Sequence, residues 1–193
     1  MTLHFPSPRP GLAGLWDRFV GPGMSRGENV LMIAASLGGA VVAGWQVAAT
    51  GHSWSLILLG AFIGVDVIGG VVCNMTATTK RWYHREGQGF REHFGFIALH
   101  LVHVALVAWV FRGAGFDVIY ALTIGGWLIA SAVGVLCAPA NLRSPLAATG
   151  LIVAVFLSFY VLSPTLGLEW FVTLLYVKLL IGHAVPPTSR YLF

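Results

Sequence analysis

The chain has 193 residues, of which 57% are apolar and only 9% charged, with a mean hydropathy of +0.82 and a formal net charge of +4. Soluble domains carry roughly 25% charged residues, so this chain has too few charges to cover a water-facing surface, and the solvent expected for its fold is lipid. Its basic residues flank apolar stretches, which is a topology signal, and no nucleic-acid partner is expected.

Residues 1–28 read as a cytoplasmic N-terminal segment. Met1 to Pro10 holds three prolines and no apolar stretch, so no cleavable leader is expected. Gly11 to Val20 can form a short interfacial helix with Leu12, Leu15, Trp16 and Phe19 on one side. Residues 29–186 then carry six apolar segments near the length of about 20 residues that a membrane crossing requires. They run approximately Asn29–Ala49, Trp54–Met75, His93–Phe111, Val118–Ala138, Pro145–Ser163 and Trp170–Val185. Residues 187–193 read as a short cytoplasmic tail. The expected fold is therefore all-α, a six-transmembrane-helix bundle.

Orientation follows from the cations. Arg9, Arg18, Arg26, Lys80, Arg81, Arg85, Arg91, Arg143 and Arg190 fall on one side, Arg112 on the other, and Lys178 inside the last span. Cytoplasmic loops hold the excess of Lys and Arg, so both termini are expected in the cytoplasm, with a bacterial inner (plasma) membrane as the expected location. Small residues recur at four-residue spacing: Gly60 with Gly64, Ala40 with Gly44, Ala130 with Gly134. Such pairs allow close backbone approach and suggest tight packing or a homodimer face. Cys73 and Cys137 sit near expected cytoplasmic ends, where a disulfide is not expected. Asp117 and Glu169 fall at outer helix N-termini, where a negative side chain favours the helix dipole.

The residues that carry information are those that do not belong in lipid. Asp66, Asn74, His100, His103, Lys178 and His183 lie within or at the ends of apolar spans. Asp or Lys at a helix centre costs about 2.5 to 3.5 kcal/mol on insertion scales, so such groups face the bundle interior, pair, and mark function by default. At 100° per residue, Asp66, Gly70 and Asn74 share one face of the second span. On the third span His93, His100 and His103 form a stripe, with His103 roughly 4.5 Å and His93 roughly 10 Å from His100 along the axis. Counting about 1.5 Å per residue puts Asp66, His103 and Lys178 near the midplane and His100 level with His183. Lys178 and His183 are about 140° apart on a regular helix, which leaves Lys178 as a partner for Asp66. Pro186 removes a hydrogen bond from the turn that holds His183.

These positions support a membrane-embedded enzyme with a site open to the cytoplasm. His100, His103 and His183 are the expected imidazole metal ligands and Asp66 a carboxylate ligand or general base, with Lys178 beside it. Such a set suits zinc or iron, hydrolysis following from the first and oxidation from the second. The substrate would be a membrane lipid or other amphipathic molecule. Its headgroup would lie near Asn74, Lys80, Arg81, His84, Arg85 and His93, the cations of the loop Thr78–Glu92 supplying anion binding. The chain lacks the several histidine boxes of membrane desaturases and the nucleophile setting of rhomboid proteases. A second reading is a proton-coupled transporter or channel using Asp66, His103 and Lys178 as a relay. A third is a single haem b held by His100 or His103 opposite His183.

Overall fold

The computed structural model describes residues 6–187, so His4, Arg190 and most of the expected tail 187–193 lie outside the described residues. Among the described residues every regular element is a helix. In chain order they are α1 (Gly11–Val20), α2 (Arg26–Ala49), α3 (Trp54–Met75), α4 (Ala77–Tyr83), α5 (Phe90–Val110), α6 (Val118–Cys137), α7 (Ala140–Val161) and α8 (Phe171–Ala184).

Five of these, α2, α3, α5, α6 and α7, are long and apolar enough to cross a membrane. The sixth expected span is helical only over Phe171–Ala184. At 1.5 Å per residue it is roughly 21 Å long, less than the roughly 30 Å of a hydrocarbon core. Large apolar side chains such as Leu37, Val41, Trp45, Leu58, Phe62, Leu99 and Leu122 face outward on the long helices, as lipid-facing residues do. The core lies between α3, α5, α6, α7 and α8, around Ile63, Ile97, Val107, Leu128, Phe171, Leu175 and Leu179.

α2 and α3 form a hairpin made possible by glycine. A Cβ on Gly39 would sit 2.6 Å from the Gly64 carbonyl oxygen, and one on Gly60 would sit 2.7 Å from Val47 Cγ2. The Gly60/Gly64 pair is thus used inside the chain, with the two backbones in contact. Ala130 and Gly134 on α6 point outward instead.

Sequence periodicity did not anticipate α4. The residues expected to form a loop after Met75 instead begin with a short helix capped by Thr76, whose hydroxyl accepts from Thr79 N. Such a cap satisfies one of the amide donors that every helix start leaves free. α4 then anchors two neighbours. Thr79 Oγ1, Trp82 Nε1 and Tyr83 OH donate to the carbonyls of Val20, Arg18 and Phe19 at 2.6, 3.0 and 3.0 Å, which holds the end of α1. Glu28, in the capping box that starts α2, accepts from Thr78 N and Thr78 Oγ1. At the start of α1, Arg9 hydrogen-bonds Asp17 and holds its carboxyl down to about 2. On the opposite side Asp117 caps α6 through Tyr120 N and pairs with Arg112 at 2.7 Å.

Four helices depart from α geometry, α7 through a π-helical turn over Leu157–Val161. α5 tightens at His100, where His100 N reaches Ile97 O and His103 N reaches His100 O. α6 opens into a π-helical turn over Ala121–Gly125, and the Ile124 carbonyl there accepts from Tyr176 OH at 2.6 Å. α8 is π-helical over Val177–Ala184. Wide turns of this kind concentrate at functional positions. Here the longest one carries both Lys178 and His183.

Candidate functional site

The expected polar residues fall into two clusters on opposite sides of one aromatic ring. In the first, Lys178 Nζ of α8 donates to Asp66 Oδ2 of α3 at 2.6 Å. From α5, His103 Nε2 lies 3.3 Å and His100 Nε2 3.7 Å from the same oxygen. Lys178 fits because Gly70, one turn along α3 from Asp66, has no side chain: a Cβ there would lie 2.9 Å from Nζ. The Lys178 side chain is 3% exposed and that of Asp66 31%. The ammonium is sealed in the bundle and the carboxylate is the accessible member of the pair. Removing two charges from water costs several kcal/mol per ion, which only close geometry offsets. A buried ion pair of this kind is weak support for stability and a reasonable mark of function.

The second cluster lies toward α4. His93 Nδ1 of α5 and His183 Nε2 of α8 are 3.1 Å apart and share a hydrogen bond. His84, just after α4, stacks on His93 with ring centroids 4.3 Å apart and donates from Nε2 to the His183 carbonyl at 2.8 Å. Burial and the neighbouring His93 push His84 down to about 4. Phe96 separates the clusters, its ring 4.0 Å from His183 and 4.8 Å from His100. His183 therefore does not join Asp66, His100 and His103. Among the described residues no three His, Cys, Asp or Glu side chains have the spacing of a metal site.

The headgroup residues proposed from sequence are turned onto the protein. Lys80 Nζ donates to the carbonyls of Ile181 and Val185 at 2.9 Å each, capping the end of α8 where Pro186 interrupts the backbone ladder. Burial lowers Lys80 to about 8. Arg81 Nε donates to Ala77 O, and Arg85 lies 3.7 Å above the Trp82 ring. Asn74 Nδ2 donates to Lys178 O at 3.2 Å, fixing the wide turn of α8 against α3.

The accessible face of the first cluster opens into a cavity of about 480 Å³. Asp66, His100, His103 and Lys178 line it on one side, and Trp16 and Phe19 of α1 on another. Its rim carries Leu37, Phe62 and Leu99, each more than 60% exposed on the apolar outer surface of the long helices. The cavity is thus entered from the side, through the apolar outer surface of the long helices. Sequence reading missed the part played by α1; its apolar stripe of Trp16 and Phe19 was the available signal.

No protein family, curated protein or solved structure matches the chain. Any functional reading therefore rests on this geometry.

Proposed function

We propose that the protein is an integral membrane enzyme of six spans with both termini cytoplasmic, acting on a lipid or other amphipathic substrate. The observation that carries this reading is the position of the Asp66 carboxylate. It stands in the wall of a laterally entered, largely apolar cavity, with an ammonium and two imidazoles around one of its oxygens. A volume of about 480 Å³ lies within the roughly 300 to 1,000 Å³ of small-molecule sites. The tail of an amphipathic molecule would remain in lipid while its head reaches the cluster.

In this reading Asp66 is the general base or the anchor of the reacting head. Lys178 holds the carboxylate ionised inside the bundle, and His103 and His100 pass protons to and from it. General acid–base groups of this type contribute roughly 10² to 10⁴ in rate. A second form of the site, in which zinc or iron takes the place of the Lys178 ammonium between Asp66, His100 and His103, would require these side chains to move, since they do not stand at metal-site spacing here. His183 has no part in either form.

The test compares membranes of a bacterial host expressing wild type or Asp66→Asn, with total lipid extracts resolved by mass spectrometry and bound metal measured on the purified proteins. The enzyme reading expects at least one amphipathic species to change with wild type and not with the variant. Identical lipid profiles would sink it and leave a proton relay through the same residues. Stoichiometric metal lost in the variant would select the second form.

A further inference from the structure

Hydrogen-bond accounting in the first cluster narrows what the cavity can hold. His100 Nδ1 lies 2.8 Å from the Phe96 carbonyl. A carbonyl only accepts, so Nδ1 carries the proton and a neutral His100 presents its Nε2 lone pair on the Asp66 side. That lone pair faces Asp66 Oδ2 at 3.7 Å, acceptor against acceptor. His103 Nε2–H is the group placed to donate to Asp66 at 3.3 Å, and its own Nδ1 is buried without a partner. Charge balance keeps both rings neutral. Lys178 and Asp66 cancel each other, and a further proton on either imidazole would leave an uncompensated cation among apolar walls. The cluster therefore faces the cavity with acceptors in excess of hydrogens.

We infer that the cavity binds a neutral lipid whose head is a hydroxyl group, the O–H donating to His100 Nε2 beside the Asp66 carboxylate. This deepens the reading of the cavity as a lateral lipid site and rests on it. An anionic head is disfavoured because the only cation in the cluster, Lys178, is 3% exposed and already paired with the Asp66 carboxylate, whose own charge repels an anion. A cationic head would add the same uncompensated charge as a protonated imidazole. The walls suit a ring-bearing head as well as a straight alcohol, since Trp16, Phe19, Phe62, Tyr83 and Phe96 all contribute to the lining and aromatic faces stack on one another.

The full chain in detergent micelles would be titrated by calorimetry with probes sharing one ten-carbon tail: decylhydroquinone, its dimethyl ether, decanol and decanoate. The hydroquinone is expected to bind about tenfold more tightly than its ether, the factor of one buried hydrogen bond. His100→Phe should abolish that preference while leaving the ether's affinity unchanged. Decanol equal to the hydroquinone would support the hydroxyl alone as the recognised feature, and hydroquinone tighter than decanol would support a hydroxyl on an aromatic ring. Equal binding of hydroquinone and ether would overturn the inference yet leave a lipid cavity. Tightest binding by decanoate would overturn it in favour of an anion site. If none binds, and a Val65→Trp variant, whose larger side chain would fill the cavity that Val65 lines, behaves as wild type with native membrane lipid, the lateral lipid site itself falls.

Discussion

Two groups of histidines lie within one side chain of each other and are built for different things. His100 and His103 flank a carboxylate that opens to a cavity, next to a sealed ammonium. His93 and His183 share a neutral hydrogen bond, with His84 stacked on one and Phe96 on the other. Both groups are buried and both join α5 to α8. The difference is that the first holds charge beside an empty volume, whereas the second satisfies itself within aromatic packing. Buried histidine alone is a poor sign of a site. Charge held next to open space is a better one.

The sharpest way to break that contrast is to remove the charge from the first group. Asp66→Ala would leave Lys178 buried and unpaired, and should cost about 3 to 5 kcal/mol, read as the denaturation midpoint in detergent. Asp66→Asn with Lys178→Met should recover most of the loss. His93→Phe removes one neutral hydrogen bond and should cost only about 1 kcal/mol. Equal losses for Asp66→Ala and His93→Phe would erase the distinction drawn here.

The second group should show itself through pH. His84 is held at about 4 by burial, below the roughly 6.5 of a free imidazole, so between those values the unfolded chain binds the extra proton. Stability contributed by neutral His84 is present above about pH 6.5 and is lost as pH falls toward 4. His84→Gln should remove about 2 kcal/mol of the stability lost over that window, read as a shallower fall of the thermal midpoint with pH. An unchanged slope would mean that His84 is solvated.

Smaller effects refine the picture. Gly70→Ala would press on the Lys178 side chain and should cost about 1 to 2 kcal/mol, with the loss concentrated in ligand binding measured by calorimetry. Tyr83→Phe removes the hydrogen bond to Phe19 O and should cost about 1 kcal/mol. Protease cleavage after Arg18 would report it if α1 loosens.

What could be read from the chain alone followed from quantities that add along a helix. Rise per residue brought Asp66, His103 and Lys178 to one depth, and the structure has them in one cluster. The amphipathic stretch from Gly11 to Val20 is helical as its periodicity requires. What escaped depends on departures from regular geometry. In a π-helical stretch the hydrogen bond runs five residues back, so Lys178 and His183, five apart, lie nearer one side of α8 than a 100° step allows. Tightening at His100 shifts α5 in turn, and His183 meets His93 instead of His100. Lys80 escaped for another reason. A lysine after an apolar span looks like a headgroup ligand, and only the fold reveals that the carbonyls left free near Pro186 are within its reach. The Gly60/Gly64 spacing gave close packing correctly but could not say that the partner is α2 of the same chain.

The seat of α1 has a consequence for how this protein can diversify. α4 grips it through three side chains that all land on main-chain oxygens, those of Arg18, Phe19 and Val20. A grip on the main chain is blind to the identity of the residues it holds. Phe19 can therefore be exchanged for other side chains while the helix stays docked, whereas Trp16 is tied in by its own Nε1, which donates to Asn29 Oδ1 at 2.9 Å; the Phe19 part of the cavity wall becomes an interchangeable panel. Selection for a new guest molecule could act there without touching the ion pair behind it.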